Sequence, residues 1–89
     1  MAHMEEDALL QDLEQLAAEL DIEVRYDVMD RRGGLCRLHG RSCLILNRAL
    51  SMAERIDLLE QTLCHFPLHD IFLRPWIRER LEQRLNDPS

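Results

Sequence analysis

Eighty-nine residues carry a net charge of −6, with 46% hydrophobic but only 4% aromatic side chains, which bounds the chain to one small domain with a core of Leu, Ile, Val and Ala. No apolar run approaches the roughly 20 residues needed to span a bilayer, and no charged-then-apolar signal segment opens the chain, so a soluble cytoplasmic protein is expected. Cys36, Cys43 and Cys64 form no CxxC pair, which argues against a secreted disulfide framework and a zinc ribbon and for reduced thiols.

Met1–Met4, with its second Met after a His, reads as a cloning remnant. Residues 5–86 then form a single domain and residues 87–89 a tail. From Asp7, the residues Leu9, Leu10, Leu13, Leu16, Ala17 and Leu20 recur at helical spacing with polar residues between them. Glu5, Glu6 and Asp7 at its start suit the positive end of the helix dipole, and Asp21 ends the period.

Residues 22–28 alternate strictly: Ile22, Val24, Tyr26 and Val28 on one face, Glu23, Arg25 and Asp27 on the other, as in a half-buried strand. Asp30 to Gly34 supplies turn residues, and two further strands follow, Leu35–Leu38 and Ser42–Leu46. With His39 and Gly40 as the two loop residues of that hairpin, Cys36 faces Cys43 across the ladder. Ser51 and Glu54 make the S-x-x-E capping box of a second helix. Ile56, Leu59, Leu63 and Phe66 line its buried side, and Pro67 stops it. Pro75 suits the first turn of a third helix, with Ile77, Leu81 and Leu85 as its stripe and Trp76 at the edge. The expected fold is α+β: a helix, a three-stranded antiparallel meander, and two C-terminal helices packed on one sheet face.

Charge is divided along the chain. Residues 5–30 hold ten acids against the single base Arg25, whereas residues 31–53 hold five arginines and no acid. The two halves could neutralise each other within one chain or across two copies.

The succession "ELDIEVRY", a Gly-containing hairpin, "LILNRALSMAERIDLL" and "EQTLCHFPLH" resembles the ImmA/IrrE-type metallopeptidase domain, over about residues 13–69. The N-x-x-L-S step at Asn47, Leu50 and Ser51 and the helix after it carry the resemblance. It implies that Gln61 stands where the family has its first zinc His, Thr62 where it has the catalytic Glu, and His65 at the second His. HExxH needs two histidines on one helical face and a Glu that takes a proton from the metal-bound water. Gln61 is a poor ligand and Thr62 is no such base, so the resemblance implies the scaffold of an inactive zinc peptidase.

Other chemistries weigh less than their ordinary alternatives. His65 and His69 are four apart, but Pro67 between them breaks the geometry that would join them on a metal, even with Cys64 or Asp70 as helpers. Cys36 and Cys43 read as small apolar fillers rather than a redox pair. Arg31 to Arg48 could track a nucleic-acid backbone, but the acidic net charge and lack of interleaved aromatics disfavour it. The chain is therefore expected to be a non-enzyme with no catalytic residue, cofactor or metal ligand. It reads as a protein-interaction module, a homodimer or a binder of another protein, with Trp76, Phe72, Ile77, Arg37 and Arg41 as candidate contacts. A zinc- or thiol-dependent hydrolase and an Arg-mediated nucleic-acid binder are the alternatives.

Overall fold

The computed structural model describes residues 2–86, with side chains from Glu6 onward; the tail at 87–89 lies outside the described residues. The elements are α1 (Ala2–Glu19), β1 (Ile22–Asp27), β2 (Gly33–Leu38), β3 (Arg41–Asn47), α2 (Met52–Leu63) and α3 (Pro75–Asn86). The α+β class holds. Among the described residues no helix is long and apolar enough to cross a membrane.

The sheet is mixed rather than an antiparallel meander. Its order is β1-β3-β2, with β1 parallel to β3 and β2 antiparallel to it. The strand with the most buried side chains, β3, takes the centre, where Cys43, Leu44 and Leu46 are buried; β1 and β2, with their charges and glycines, take the edges. Residues 28–32 are too many for a tight turn and instead arch over the end of β3. Asn47 holds that arch: its Nδ2 donates to the carbonyls of Met29 (3.0 Å) and Arg31 (2.8 Å), and its backbone N–H donates to the carbonyl of Arg32. A polar side chain at the end of β3 thereby keeps β1 and β2 one strand apart.

Local signals at the element ends perform as their chemistry dictates. Asp21, at φ 62°, ends α1 in the left-handed conformation that Asp tolerates better than most residues. His39 and Gly40, at φ 54° and 81°, are the two positive-φ residues of a two-residue hairpin loop, and Cys36 does pair with Cys43. At the start of α2, the Glu54 N–H donates to Ser51 Oγ and the Ser51 N–H to the Glu54 carboxylate, completing the capping box. α2 ends at Leu63, earlier than the apolar spacing through Phe66 suggests. Pro67 cannot donate to the Leu63 carbonyl, so the chain tightens, with the N–H of His65 bonding to Thr62 and that of Phe66 to Leu63.

The expected packing of the two C-terminal helices on the sheet holds for α2 and not for α3. α1 lies against β1, α2 lies beside α1 and reaches β2, and α3 packs on α2 instead of on the sheet. Leu13, Leu16, Leu44, Leu46, Leu59 and Leu63 are the fully buried leucines of this core, and α3 adds Ile77 and Leu81. Leu85 completes no stripe and is exposed, as is Val28 beyond the end of β1. The other sheet face carries Glu23, Arg25, Cys36, Cys43 and Ile45, and among the described residues none of these joins the core cluster that the helices form with Leu44 and Leu46.

Candidate interaction surface

Of the three residues that the zinc-peptidase resemblance singles out, only two lie on the helix. Gln61 and Thr62 belong to the last turn of α2, whereas His65 lies past its end and is exposed. The amide of Gln61 leans toward Asp57, 3.4 Å away. His69 is exposed beside Asp70, and Pro67 separates it from His65. Cys64 caps α2 with its thiol directed to the Gln61 carbonyl, and burial pushes that thiol up from its ordinary pKa. Among the described residues no three or more His, Cys, Asp or Glu side chains are grouped to hold a metal ion.

Cys36 and Cys43 are free thiols opposite each other on the sheet face turned away from the core cluster. Burial, and next the neighbouring Cys36, push the Cys43 thiol up, so the thiolate that redox chemistry requires is disfavoured there.

Arg37 and Arg41 flank the hairpin tip but serve different surroundings. Arg37 is tied into the turn by donating to the Gly40 carbonyl at 2.9 Å, while Arg41 lines a hollow with Glu14, Asp21 and Glu23 beside the edge of β1. Among the described residues, none of Arg31, Arg37, Arg41 and Arg48 forms an ion pair with an acid of α1; the acid of α1 that is paired, Asp12, meets Arg74 from the loop before α3. Among the described residues the acidic and basic segments of the sequence thus share no ion pair, although Arg41 shares that hollow with three acids.

Of the apolar candidates, Trp76 is 42% exposed and Phe72 86%, whereas Ile77 is 2% exposed. Ile77 is therefore a core residue and not a contact available to a partner. Trp76 stands on the wall of a groove of about 660 Å³ where the three helices meet, opposite Glu6 and Leu9 of α1.

Asp57, Arg80 and Arg84 line the same groove, and beneath them lies the feature that the sequence reading missed. Glu60 is 1% exposed. Arg80 Nε donates to its carboxylate at 2.5 Å and Arg84 Nε at 3.0 Å. Arg84 also reaches Asp57, which takes a second bond from Arg32 at 2.7 Å. Burial pushes the Asp57 carboxyl up, but the bonds from Arg32 and Arg84 outweigh it and hold the group below its ordinary pKa. The signal was present: Glu60 follows Ile56 by four residues on the buried stripe, and Arg80 and Arg84 are four apart on a facing helix. This cluster clamps α3 to α2. Every carboxylate oxygen in it that meets an arginine is already engaged, which gives it the character of a structural tie.

A second polar tie fixes β1 to α1. The Tyr26 hydroxyl donates to Glu14 at 2.5 Å and the Arg55 guanidinium lies 5.1 Å from the ring centroid. Burial first, then the bond to Glu14, pushes the Tyr26 pKa up to about 12.

No protein-family model, curated protein or solved structure gives a significant match to this chain.

Proposed function

We propose that this chain is a non-catalytic cytoplasmic protein-interaction module that acts by self-association as a two-fold dimer. The observation that carries this reading is the separation of charge: the acids of α1 and the exposed arginines between positions 31 and 48 form no ion pairs with each other among the described residues. Two copies related by a two-fold axis let each half meet its complement twice. Among the described residues β1 and β2 are edge strands with no further strand paired to them, which supports the same reading, because unpaired edges favour association. Light scattering over a concentration series reaching about 100 µM, at low and high salt, tests it. A mass near twice the 10.5 kDa chain, falling as salt is raised, is expected. A mass of one chain throughout the series refutes self-association.

A further inference from the structure

We propose that the dimer forms by antiparallel pairing of β1 with β1 of a second copy, in the single register that sets Val24 against Val24. This rests on the self-association reading above, but it takes its charge complementarity from Glu23 and Arg25 of β1, because the pairing leaves the arginines of β2 and β3 on the far side of each β1 from the partner.

The direction of the backbone groups comes first. The Arg48 N–H donates to the Asp27 carbonyl at 2.7 Å, so Asp27 turns its polar backbone groups toward β3. Successive residues of a strand turn theirs to opposite sides, so Arg25 and Glu23 also serve the β1–β3 ladder. Ile22, Val24 and Tyr26 then direct their N–H and C=O groups to the free edge. An open hollow of about 530 Å³, which Glu14 and Ala18 of α1 and Arg41 also line, lies beside Ile22 to Val24.

Charge then selects the register. A two-fold antiparallel pairing must set outward-directed residues opposite each other, and only two registers overlap five residues of β1. Centring on Arg25 sets Arg25 against Arg25 and Glu23 against Asp27, which places like charges opposite each other at every charged position. Centring on Val24 sets Val24 against Val24 and Ile22 against Tyr26 on the helix side, and Glu23 against Arg25 twice on the other face. Glu23 and Arg25 then occupy the closer, non-hydrogen-bonded sites, where cross-strand pairs interact most directly. Within one chain they form only an exposed pair at 3.7 Å. Beyond Ile22 and Tyr26 the ladder would bring Asp21 to Asp27, so it ends after five residues. The other edge offers no comparable selection, because β2, Gly33–Leu38, carries Arg37 as its only charge.

The product is a continuous six-stranded sheet, β2-β3-β1-β1-β3-β2, with all helices on one face. Pairing β1 to β2 instead would be heterologous and would give a ring or an open filament rather than a two-fold dimer.

Sedimentation equilibrium of Glu23→Arg, Arg25→Glu and the double variant tests the register, with far-UV circular dichroism to monitor the fold. Each single change makes two like-charge contacts by symmetry and should weaken the dimer about tenfold, whereas the double variant restores the pairs in exchanged order and should return to within about threefold of the parent. Val24→Pro removes an outward N–H that β3 does not use, so it should abolish the dimer while the circular dichroism is kept. A parent dimer indifferent to the charge exchange and to Val24→Pro overturns the β1 interface while leaving self-association standing. A monomeric parent overturns both, and a mass growing beyond two chains overturns the closed pairing.

Discussion

The clamp between α2 and α3 should break asymmetrically. Glu60 is buried, whereas the side chains of its two partners, Arg80 and Arg84, are 46% and 31% exposed. Removing both guanidinium groups, in Arg80→Ala with Arg84→Ala, leaves a carboxylate in the core with no compensating charge. The cost expected for an uncompensated buried charge is about 3–5 kcal/mol. In a domain of this size that lowers the melting temperature by roughly 15–30 °C. Replacing the carboxylate instead, Glu60→Met, leaves two guanidinium groups that already reach water and hydrate with little motion. The methionine occupies a similar volume, so the net loss should stay within about 1 kcal/mol. Urea unfolding at neutral pH measures both, provided the m-value is unchanged across the set. Glu60→Met losing as much as the double arginine variant would refute the reasoning, since it would mean that ion-pair attraction, and not the desolvation of one buried carboxylate, governs the clamp.

Tyr26 is the only tyrosine, so its ionisation can be followed by ultraviolet absorbance without overlap from another phenol. The midpoint should lie near 12, and Glu14→Gln should bring it down toward 10.0 without reaching it, because burial remains. The raised value means that its stabilisation is fully present below pH 10.0 and is lost as pH rises through about 12; a midpoint at 10.0 in the parent would contradict the packing described. The two adjacent glycines should differ in tolerance: at Gly33, φ 128°, a Cβ would lie 1.9 Å from the Ile45 carbonyl oxygen, whereas at Gly34 it meets nothing within 4 Å. Gly33→Ala should cost at least about 3 kcal/mol and Gly34→Ala less than about 1, and chemical denaturation yielding equal losses would contradict the β2–β3 contact. Protein purified without chelator should lack peptidase activity and hold far less than about one zinc per chain by elemental analysis; a stoichiometric metal lost in His65→Ala or His69→Ala would restore the hydrolase reading.

Reading outward from residues, the sequence determined what depends on near neighbours. The three-and-four spacing from Leu9 to Ala17, the alternation from Ile22 to Tyr26, the Ser51–Glu54 box and the His39–Gly40 loop are each satisfied within a few residues, and each is present in the fold. The pairing of Cys36 with Cys43 follows from the loop length alone. Strand order was different. A meander and the observed β1-β3-β2 sheet share the same local pattern, and the choice lies in Asn47 bonding to Met29 and Arg31, contacts sixteen to eighteen residues away whose partners are backbone carbonyls with no signature in the sequence.

The surfaces divided in the same way. Periodicity placed Ile77 on a helix face but could not say whether that face meets the protein or a partner, and only the docking of α3 on α2 buried it. Glu60 reads as one more polar residue of a helix until Arg80 and Arg84 arrive from twenty and twenty-four positions on. Local propensity acts through bonds and spacings a helical turn or a hairpin long, and the sequence carries it explicitly. Whether a charge is buried, which strand takes the centre and which edge stays open depend on chain segments brought together only when the core closes, and the tertiary structure decided those.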